Sequence, residues 1–327
     1  MDRTKNQIDI HFEEGGDSMK FKKIYISAAL FLLAGLVIFA VGFAVAGFNI
    51  TKISSAGEFK ENTHVSSAAV SKIIIHDQNL PVEIIASKDD KVHVTYYEND
   101  KDYYEINQPG DILSIIKSTR RSWYDYIFNI RLQAIKLTIA VPSDYSGDLS
   151  VETSNGSIDI SDIKASSIHL ETSNGRISAK NMDVSTNLET LTSNATIDIS
   201  NISISGSLHC DTSSGKISLE KVDANNIHLE TSNGRVTLKS IVSNARIEIR
   251  TSNGPVEFDD VSFQNELVCH DSNASIKGKI AGKTSDYTIK AKTSNAKSNL
   301  PEKSGTGSKG LVLDTSNGDI DIGFLGD

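Results

Sequence analysis

A four-residue sequence, Thr-Ser-Asn-Gly, recurs through the second half of this chain and restricts its fold more than any other feature. The intervals between successive copies are 19 to 22 residues. Such a period is at the short end of those that indicate solenoids, in which each repeat forms one coil of a stack. Copies or close variants of this repeat word begin at Thr153, Thr172, Thr192, Thr212, Thr231, Thr251, Asp271, Thr293 and Thr315.

Apolar residues occur at constant distances from each repeat word. The position four before the Thr is always Leu or Ile, and the positions five and seven after it are mostly Ile, Val or Leu. The residues between them are mostly polar, which is typical of strands with one buried face. A third apolar column, ten after the Thr, comprises Ile163, Met182, Ile202, Val222, Ile241 and Val261. Three inward columns predict a three-sided coil.

Because all repeats run in the same direction, strands of successive coils can pair only in parallel, about 4.8 Å apart. The prediction is therefore an all-β fold. It is a three-sided parallel β-helix of about nine coils over residues 146–327. One coil cannot enclose a core, but stacked coils bury a continuous one. The pattern leaves the handedness of the solenoid open.

The repeat word is interpreted as the turn between the first two sides. Ala replaces the Gly at Ala195, Ala274 and Ala296, where the Asn is kept, and Ser214 replaces the Asn where Gly215 is kept. This exchange predicts a left-handed conformation at one of the two residues, which Gly and Asn tolerate at low cost. Stacked Asn side chains are also expected to form a hydrogen-bonded ladder.

Residues 24–48 form an almost continuous apolar run, long enough for a helix to cross about 30 Å of hydrocarbon. We interpret it as a single transmembrane helix after a cytoplasmic tail, 1–23. Lys20, Lys22 and Lys23 predict that the N-terminus stays in the cytoplasm and the C-terminal solenoid is extracytoplasmic. The alternative is a signal peptide cleaved after Ala46, because residues 44–46 have the small-x-small form of a cleavage site.

Three further segments are assigned from local pattern. Met19 is followed by basic and apolar residues like a natural start, so translation is hypothesised to begin at Met19 rather than Met1. Residues 49–67 are small and polar and are interpreted as a stalk. Residues 68–145 contain short alternating runs separated by Asp, Asn, Pro and Gly. This predicts a β-rich N-terminal cap over the first coil.

Aromatic residues are concentrated in this cap. Arg120, Arg121, Trp123, Tyr124 and Tyr126 combine rings with positive charge and are the candidate residues for a ligand or partner. Such a set suits stacking on sugars, a position at the membrane interface, or a protein contact. The alternative is that these rings build the core and rim of the cap.

Charge and motifs argue against several functions. The net charge of −9 without a basic stripe argues against nucleic-acid binding. The sequence contains no phosphate-binding glycine loop, no nucleophile elbow, no H-E-x-x-H and no zinc-spaced Cys pair. No cofactor is therefore predicted. A non-catalytic module is favoured, and the alternative is a carbohydrate-active β-helix enzyme on cell-wall or extracellular polysaccharide.

One group of outward residues has the composition of a metal site. His209 and His228 occupy the same position in adjacent coils, with Asp211 and Glu230 two residues further along the same side. At a stacking distance of about 4.8 Å, the imidazoles and carboxylates are candidate ligands for one transition-metal ion. The alternative is that they are ordinary polar surface residues.

Cys210 and Cys269 stand two before the Thr position, in an inward column. Their coils are three steps apart, so they should lie about 14 Å from each other along the stack. A disulfide needs Cα atoms within about 7 Å. Two free, buried thiols are therefore predicted.

These features resemble the DUF4097 family of adhesin-like proteins. The resemblance rests on the apolar N-terminal segment, on residues 139–142 (Ile-Ala-Val-Pro) and on coils such as 170–177, Leu-Glu-Thr-Ser-Asn-Gly-Arg-Ile. It covers roughly residues 70 to 325 and is nearest to membrane-anchored LiaG-like members in the cell-envelope-stress operons of Gram-positive bacteria. It implies an extracytoplasmic β-solenoid that acts at the envelope as a structural or interaction module. The implied partners are the membrane, envelope proteins or wall polymers.

Overall fold

The computed structural model describes residues 16–45, 47–48, 58–67, 69–126 and 133–327. Some predicted segments lie outside the described residues: the tail up to residue 15, Ala46 of the alternative cleavage site, and stalk residues 49–57. The chain divides into two units. One comprises Met1–Glu58 and Ser122–Leu132, and the other comprises Phe59–Arg121 and Gln133–Asp327.

The first unit contains the helix α1, Gly16–Val45. Its segment Ile24–Val45 is long and apolar enough to cross a membrane, and none of it is buried within the protein. The helix ends where Gly47 and Phe48 adopt φ values of 68° and 59°. Their N–H groups donate to the carbonyls of Ala44 and Phe43, a left-handed helix ending that Gly favours. The helix therefore stops three residues before the end of the predicted run, 24–48.

The second unit consists of strands, apart from a short 3₁₀ turn at Thr284–Asp286. In chain order the strands are β1 (Lys60–Val65), β2 (Lys72–His76), β3 (Val82–Ala86), β4 (His93–Glu98), β5 (Asp102–Asn107), β6 (Ile112–Thr119), β7 (Leu137–Val141), β8 (Asp148–Thr153), β9 (Ile158–Ser161), β10 (Lys164–Ala165), β11 (Ile168–Thr172), β12 (Ile177–Val184), β13 (Leu188–Thr192), β14 (Ile197–Thr212), β15 (Ile217–Thr231), β16 (Val236–Thr251), β17 (Val256–Phe263), β18 (Glu266–His270), β19 (Ile276–Ile280), β20 (Tyr287–Thr293), β21 (Lys303–Ser304), β22 (Lys309–Thr315) and β23 (Ile320–Phe324).

Successive repeats stack in parallel and in the register that the repeat word predicts. Ile177, Ile197 and Ile217 are aligned across β12, β14 and β15, and each is fully buried. Every step of the stack repeats this alignment of like with like, so the apolar columns merge into one continuous core. The predicted parallel β-solenoid is confirmed.

Each coil has three sides, named here by position relative to the Thr of the repeat word. Side 1 ends at the Thr, as in β8; side 2 begins five residues after it, as in β9; side 3 is the short segment that follows, as in β10. A left-handed residue nine after the Thr, with φ between 53° and 60°, makes the bend between sides 2 and 3. The residues at this bend are Asp162, Asn181, Asn201, Lys221, Ser240 and Asp260.

The prediction of a left-handed residue within the repeat word is therefore wrong. None of the residues with positive φ belongs to a repeat word. In the coils that have Gly, this residue instead permits close packing of the backbone, since a Cβ at Gly175 would lie 1.8 Å from the carbonyl oxygen of Gly156 in the preceding coil. These contacts do not explain how the three coils with Ala accommodate its methyl group.

The Thr of the repeat word closes the turn. In one coil the Thr172 hydroxyl accepts a hydrogen bond from the Gly175 N–H at 3.1 Å and lies 3.2 Å from the Gly156 carbonyl of the preceding coil, to which it donates. The hydroxyl thus serves polar backbone groups at a buried corner, where unpaired groups are costly.

The predicted Asn ladder is present along the outside of this corner. Asn174 donates to the side chain of Asn155, and Asn194 donates to Asn174, both at 2.8 Å. The ladder is interrupted in the coil with Ser214, where Asn233 donates to a backbone carbonyl instead.

The last two coils stack in the reverse of their chain order. Strand β18 pairs with β22, and β20 pairs with the far edge of β22. The Asn ladder follows this order, because Asn317 donates to Asn273 and Asn295 donates to Asn317. The sequential stacking assumed from the repeats is thus wrong at this end. The columns of both coils are equivalent, so the pattern alone cannot tell which is the nearer neighbour.

The final level in space is closed by its own connection. Strand β21 pairs antiparallel with β20, which covers the outer edge of the stack. The chain then returns through Gly305, at φ 84°, where a Cβ would lie 2.2 Å from the Tyr287 carbonyl oxygen. On side 2, the Asn299 side chain bonds to both the N–H and the carbonyl of Ile322.

The predicted cap region contributes further coils to the stack. Strand β2 lies between β6 and β8, and β3 lies between β7 and β9, all in parallel. Residues 77–80, Asp-Gln-Asn-Leu, take the place of the repeat word, and Asn155 donates to Asn79 at 2.7 Å. The antiparallel strands β1, β4 and β5 cover this end of the solenoid.

Candidate functional site

The two arginines of the aromatic cluster have structural partners. Arg121 is almost buried and binds Asp102 through Nε at 3.0 Å and Nη2 at 2.7 Å. Burial alone would raise the pKa of Asp102, but hydrogen bonds from Arg121 and Thr119 and the charge of Arg121 lower it. The guanidinium of Arg120 lies 4.4 Å from the ring centroid of Tyr103, a cation–π contact.

The aromatic members of the cluster lie in a separate feature. Trp123–Tyr126 is a single 3₁₀ turn in the first unit, closed by a 2.9 Å hydrogen bond from the Ser122 N–H to Asp125. Trp123 is 78% exposed. The backbone of Tyr124 and Tyr126 belongs to this turn. The residues predicted as one site thus divide between an ion pair at Arg121, a cation–π contact at Arg120 and a turn in which Trp123 is exposed.

The candidate metal residues are brought together as the register predicted. The rings of His209 and His228 stack face to face, with centroids 5.0 Å apart and planes 7° from parallel. Asp211 and Glu230 are aligned beside them. Burial, followed by the charge of Glu230, raises the pKa of Asp211, although the two histidines oppose this shift.

His228 of the stacked pair has two carboxylate neighbours. His228 lies 3.8 Å from Glu230 and 3.9 Å from Glu248 of the next coil. Within the described ranges there is no group of three or more His, Cys, Asp or Glu side chains arranged to hold a metal ion. The pair itself is as predicted, whereas the metal site stays a prediction.

The same surface extends beyond the four residues predicted as metal ligands. His169 lies 2.9 Å from Glu189, His76 lies 3.1 Å from Glu152, and His270 lies 3.9 Å from Asp314. We call the outward residues of side 1 that carry these pairs the His–carboxylate row. Sequence reasoning missed His76 because β2 lacks the repeat word, and it missed the His270 pair because the exchanged coils bring Asp314 beside it.

A shallow groove of about 400 Å³ lies on the opposite part of the coil, at the left-handed bend between sides 2 and 3. Its lining is mostly polar and includes Asn181, Asn201, Lys221, Asp183 and Asp223. The chemistry available there is hydrogen bonding with mixed charge. Nothing in the sequence marked this groove, since the left-handed bend was assigned to a different corner.

Both cysteines have the environment that was predicted. Cys210 and Cys269 are free and fully buried, and they are aligned through Leu229 and Ile249, three steps apart. Burial raises the pKa of Cys210 to about 12 and also raises that of Cys269. Neither thiol therefore has the character of a reactive nucleophile.

Fold and surface together define a parallel β-solenoid joined to one apolar helix compatible with a membrane span or signal anchor. Residues 70–323 match the family described as Toastrack DUF4097, and the chain belongs to that family. This confirms the resemblance to DUF4097 and the fold that it implied, whereas the likeness to LiaG-like members stays a prediction. No curated protein matches the chain in sequence.

Solved structures of low sequence identity are similar to the chain, among them the following three. A "putative adhesin" from Bacteroides fragilis has 14% identity and a TM-score of 0.43, covering 80% of this chain and 97% of its own. A "putative cell adhesion protein" from Clostridium sporogenes has 12% identity and a TM-score of 0.26, covering 82% and 100%. A "putative lipid binding protein" from Parabacteroides distasonis has 15% identity and a TM-score of 0.33, covering 82% and 95%.

Proposed function

We propose that this chain is a membrane-anchored interaction module of the cell envelope, with its solenoid outside the cytoplasmic membrane. It binds partners without catalysing a reaction. The supporting observation is the His–carboxylate row, which presents polar groups along side 1 at the spacing of the stacked coils. A flat surface with groups repeating about every 4.8 Å suits an extended partner, such as a wall polymer or a strand-like protein segment.

The ionisable groups support the non-catalytic part of this proposal. A catalytic acid or base usually lies in a cleft with its pKa shifted towards its task. Here burial raises the pKa of Cys210, Cys269 and Tyr145, all in the packed interior of the second unit. On the surface of side 1, burial and the charge of Glu230 raise the pKa of Asp211. In the His–carboxylate row, histidines and carboxylates pair with each other along the surface.

The apolar helix and the family resemblance support the location. Ile24–Val45 would anchor the chain, and the basic residues before it favour a cytoplasmic N-terminus. From the predicted resemblance to LiaG-like members we further propose a role in the envelope-stress response. In that role the solenoid would pass a signal to another membrane protein through contact.

Sidedness can be tested with cysteine labelling in intact cells. The native chain offers a low background, since both of its cysteines are buried. Gln264→Cys places a thiol in an exposed turn of the solenoid. We expect an impermeant maleimide to label Gln264→Cys in intact cells and to leave the wild type unlabelled. Labelling of Gln264→Cys only after permeabilisation would place the solenoid on the cytoplasmic side and overturn the proposal.

The binding face can be tested by site-specific photo-cross-linking of the full chain in growing cells. A cross-linker at Glu230 samples the His–carboxylate row, and one at Glu257 on side 2 is the matched control. We expect one envelope component to be captured from Glu230 and not from Glu257. Release of reducing ends from wall polymers by the purified chain would instead support the carbohydrate-active enzyme and refute a non-catalytic function.

A further inference from the structure

The turn Trp123–Tyr126 belongs to the first unit and not to the solenoid unit. Trp123 is 78% exposed, which is unusual for a side chain of this size. It is followed in the sequence by Tyr, Ile, Phe, Ile and Leu residues up to 132, of which 127–132 lie outside the described residues. Trp and Tyr are the side chains most enriched at membrane–water interfaces.

The root of this turn lies where the chain from the anchor enters the solenoid unit. The Phe59 N–H donates to the Gln133 side chain at 3.1 Å. Phe59 is the first residue of the solenoid unit and Gln133 is the first to rejoin it after the segment that contains the turn. A hydrogen bond thus joins the residue at which the chain enters the solenoid unit from the anchor to the residue at which it returns from the turn.

The connection to the apolar helix is short. Residues 46–58 separate Val45 from Phe59. At 3.3–3.6 Å per residue, this connection keeps Phe59 within about 45 Å of the helix end even when fully extended.

The charge around the turn differs from that of the whole chain. Residues 120–136 contain four basic side chains and one acidic side chain, Asp125, in a protein with a net charge of −9. Arg121 pairs with Asp102 and Lys136 pairs with Glu83, so both of these charges are neutralised within the solenoid unit. Arg120, whose guanidinium lies against the Tyr103 ring, is the described basic residue beside the turn that suits the headgroup region of an anionic bilayer.

We propose that the turn Trp123–Tyr126 lies in the lipid–water interface of the membrane that anchors the chain. There it provides a second contact that orients the solenoid relative to the bilayer. This inference rests on the membrane anchoring of the proposed function. It assigns the aromatic turn to lipid, and assigns partner binding to side 1.

The chain contains its own probe for this contact, since Trp123 is its only tryptophan. The full chain is reconstituted into liposomes that contain anionic lipid, and Trp123 fluorescence is measured with lipids brominated at several depths and with aqueous iodide. We expect the strongest quenching from labels about 15 Å from the bilayer centre, because the hydrocarbon core is about 30 Å thick. Iodide should quench weakly.

The matched control moves the tryptophan to the solenoid surface. In Trp123→Phe with Val242→Trp, the new ring replaces an exposed side chain of side 3. This variant should be quenched by iodide and not by brominated lipids. Equal iodide quenching at both positions, or Trp123 emission that responds to added wall polymer and not to lipid labels, would overturn the proposal. Flotation of the liposomes reports anchoring separately, so loss of anchoring is distinguishable from failure of this contact.

Discussion

Asp271 occupies the position that Thr holds in the other repeat words, and replacing it with Thr should stabilise the protein. Its side chain is 7% exposed, and Oδ1 accepts a hydrogen bond from the Asn273 N–H at 3.0 Å. Oδ2 is one of the buried side-chain atoms of the described chain that lack a hydrogen-bond partner. A buried, unsatisfied polar atom costs about 1–3 kcal/mol. We expect Asp271→Thr to raise the free energy of unfolding by about that amount at neutral pH.

This gain should depend on pH. Burial raises the pKa of Asp271 above its ordinary value of 3.8. A group with a raised pKa in the folded state contributes its full stability below the unfolded pKa and loses it as pH rises through the folded pKa. The penalty in the wild type should therefore develop from about pH 4 upward. The advantage of Asp271→Thr should be small at acidic pH and largest at neutral and basic pH.

Asp77 provides a matched control at the same position of another coil. Its Oδ1 accepts hydrogen bonds from the N–H groups of Gln78, Asn79 and Leu80, and its Oδ2 accepts one from the Tyr104 hydroxyl. Both oxygens are satisfied, so Asp77→Thr should lower the free energy of unfolding by about 1–2 kcal/mol.

The measurement is urea unfolding of the full chain in detergent micelles, followed by far-ultraviolet circular dichroism at pH 4 and pH 8. Asp271→Asn separates the loss of charge from the return of the Thr hydroxyl. Most substitutions destabilise a protein, so a gain at Asp271 together with a loss at Asp77 would be hard to obtain by chance. A loss of stability in Asp271→Thr at pH 8, or the same gain at both pH values, would refute the reasoning.

Three further outcomes are expected. Ile197→Asp should lower the free energy of unfolding by at least the roughly 2–5 kcal/mol of a large-to-small core change, since Ile197 is fully buried. Asp198→Asn breaks only an exposed ion pair and should lower it by under about 1 kcal/mol. Equal unfolding midpoints for the two variants would contradict the assignment of Ile197 to an inward column. Cys210 and Cys269 should react with a maleimide only after denaturation, and a disulfide-linked peptide between them in a digest would be inconsistent with the stacking order. Zinc or nickel should raise the thermal midpoint if the stacked histidines bind metal, and an unchanged midpoint would reject that site.

The core of the solenoid could be predicted because equivalent residues of successive repeats pair with each other. Once side 1 of one coil is aligned with that of the next, every inward column follows, including the burial of Cys210 and Cys269. The contact between His209 and His228 was predictable for the same reason, as residues at equal positions in adjacent coils must be neighbours. The burial of a residue and its alignment with the equivalent residue of the next coil thus both follow from the repeat period.

The errors arose where the period carries no information. The left-handed bend is occupied by Asp, Asn, Lys and Ser, a set with no single signature, so the conspicuous Asn-Gly pair was chosen in its place. The pair of Arg121 with Asp102 joins β5 to the segment after β6, and no local pattern marks it. Trp123 was selected together with these arginines because they are neighbours in sequence, although the chain separates them into different units.

The sequence by itself determined the parallel stacking, the inward columns, the Asn ladder and an apolar segment long enough to cross a membrane. These follow from a period of about 20 residues and from uninterrupted hydrophobicity, which act locally or between successive repeats. Only the tertiary structure decided that β22 lies between β18 and β20 and that β2 lies between β6 and β8. Equivalent coils offer nearly equivalent edges, so the choice depends on the connections that close each end of the stack.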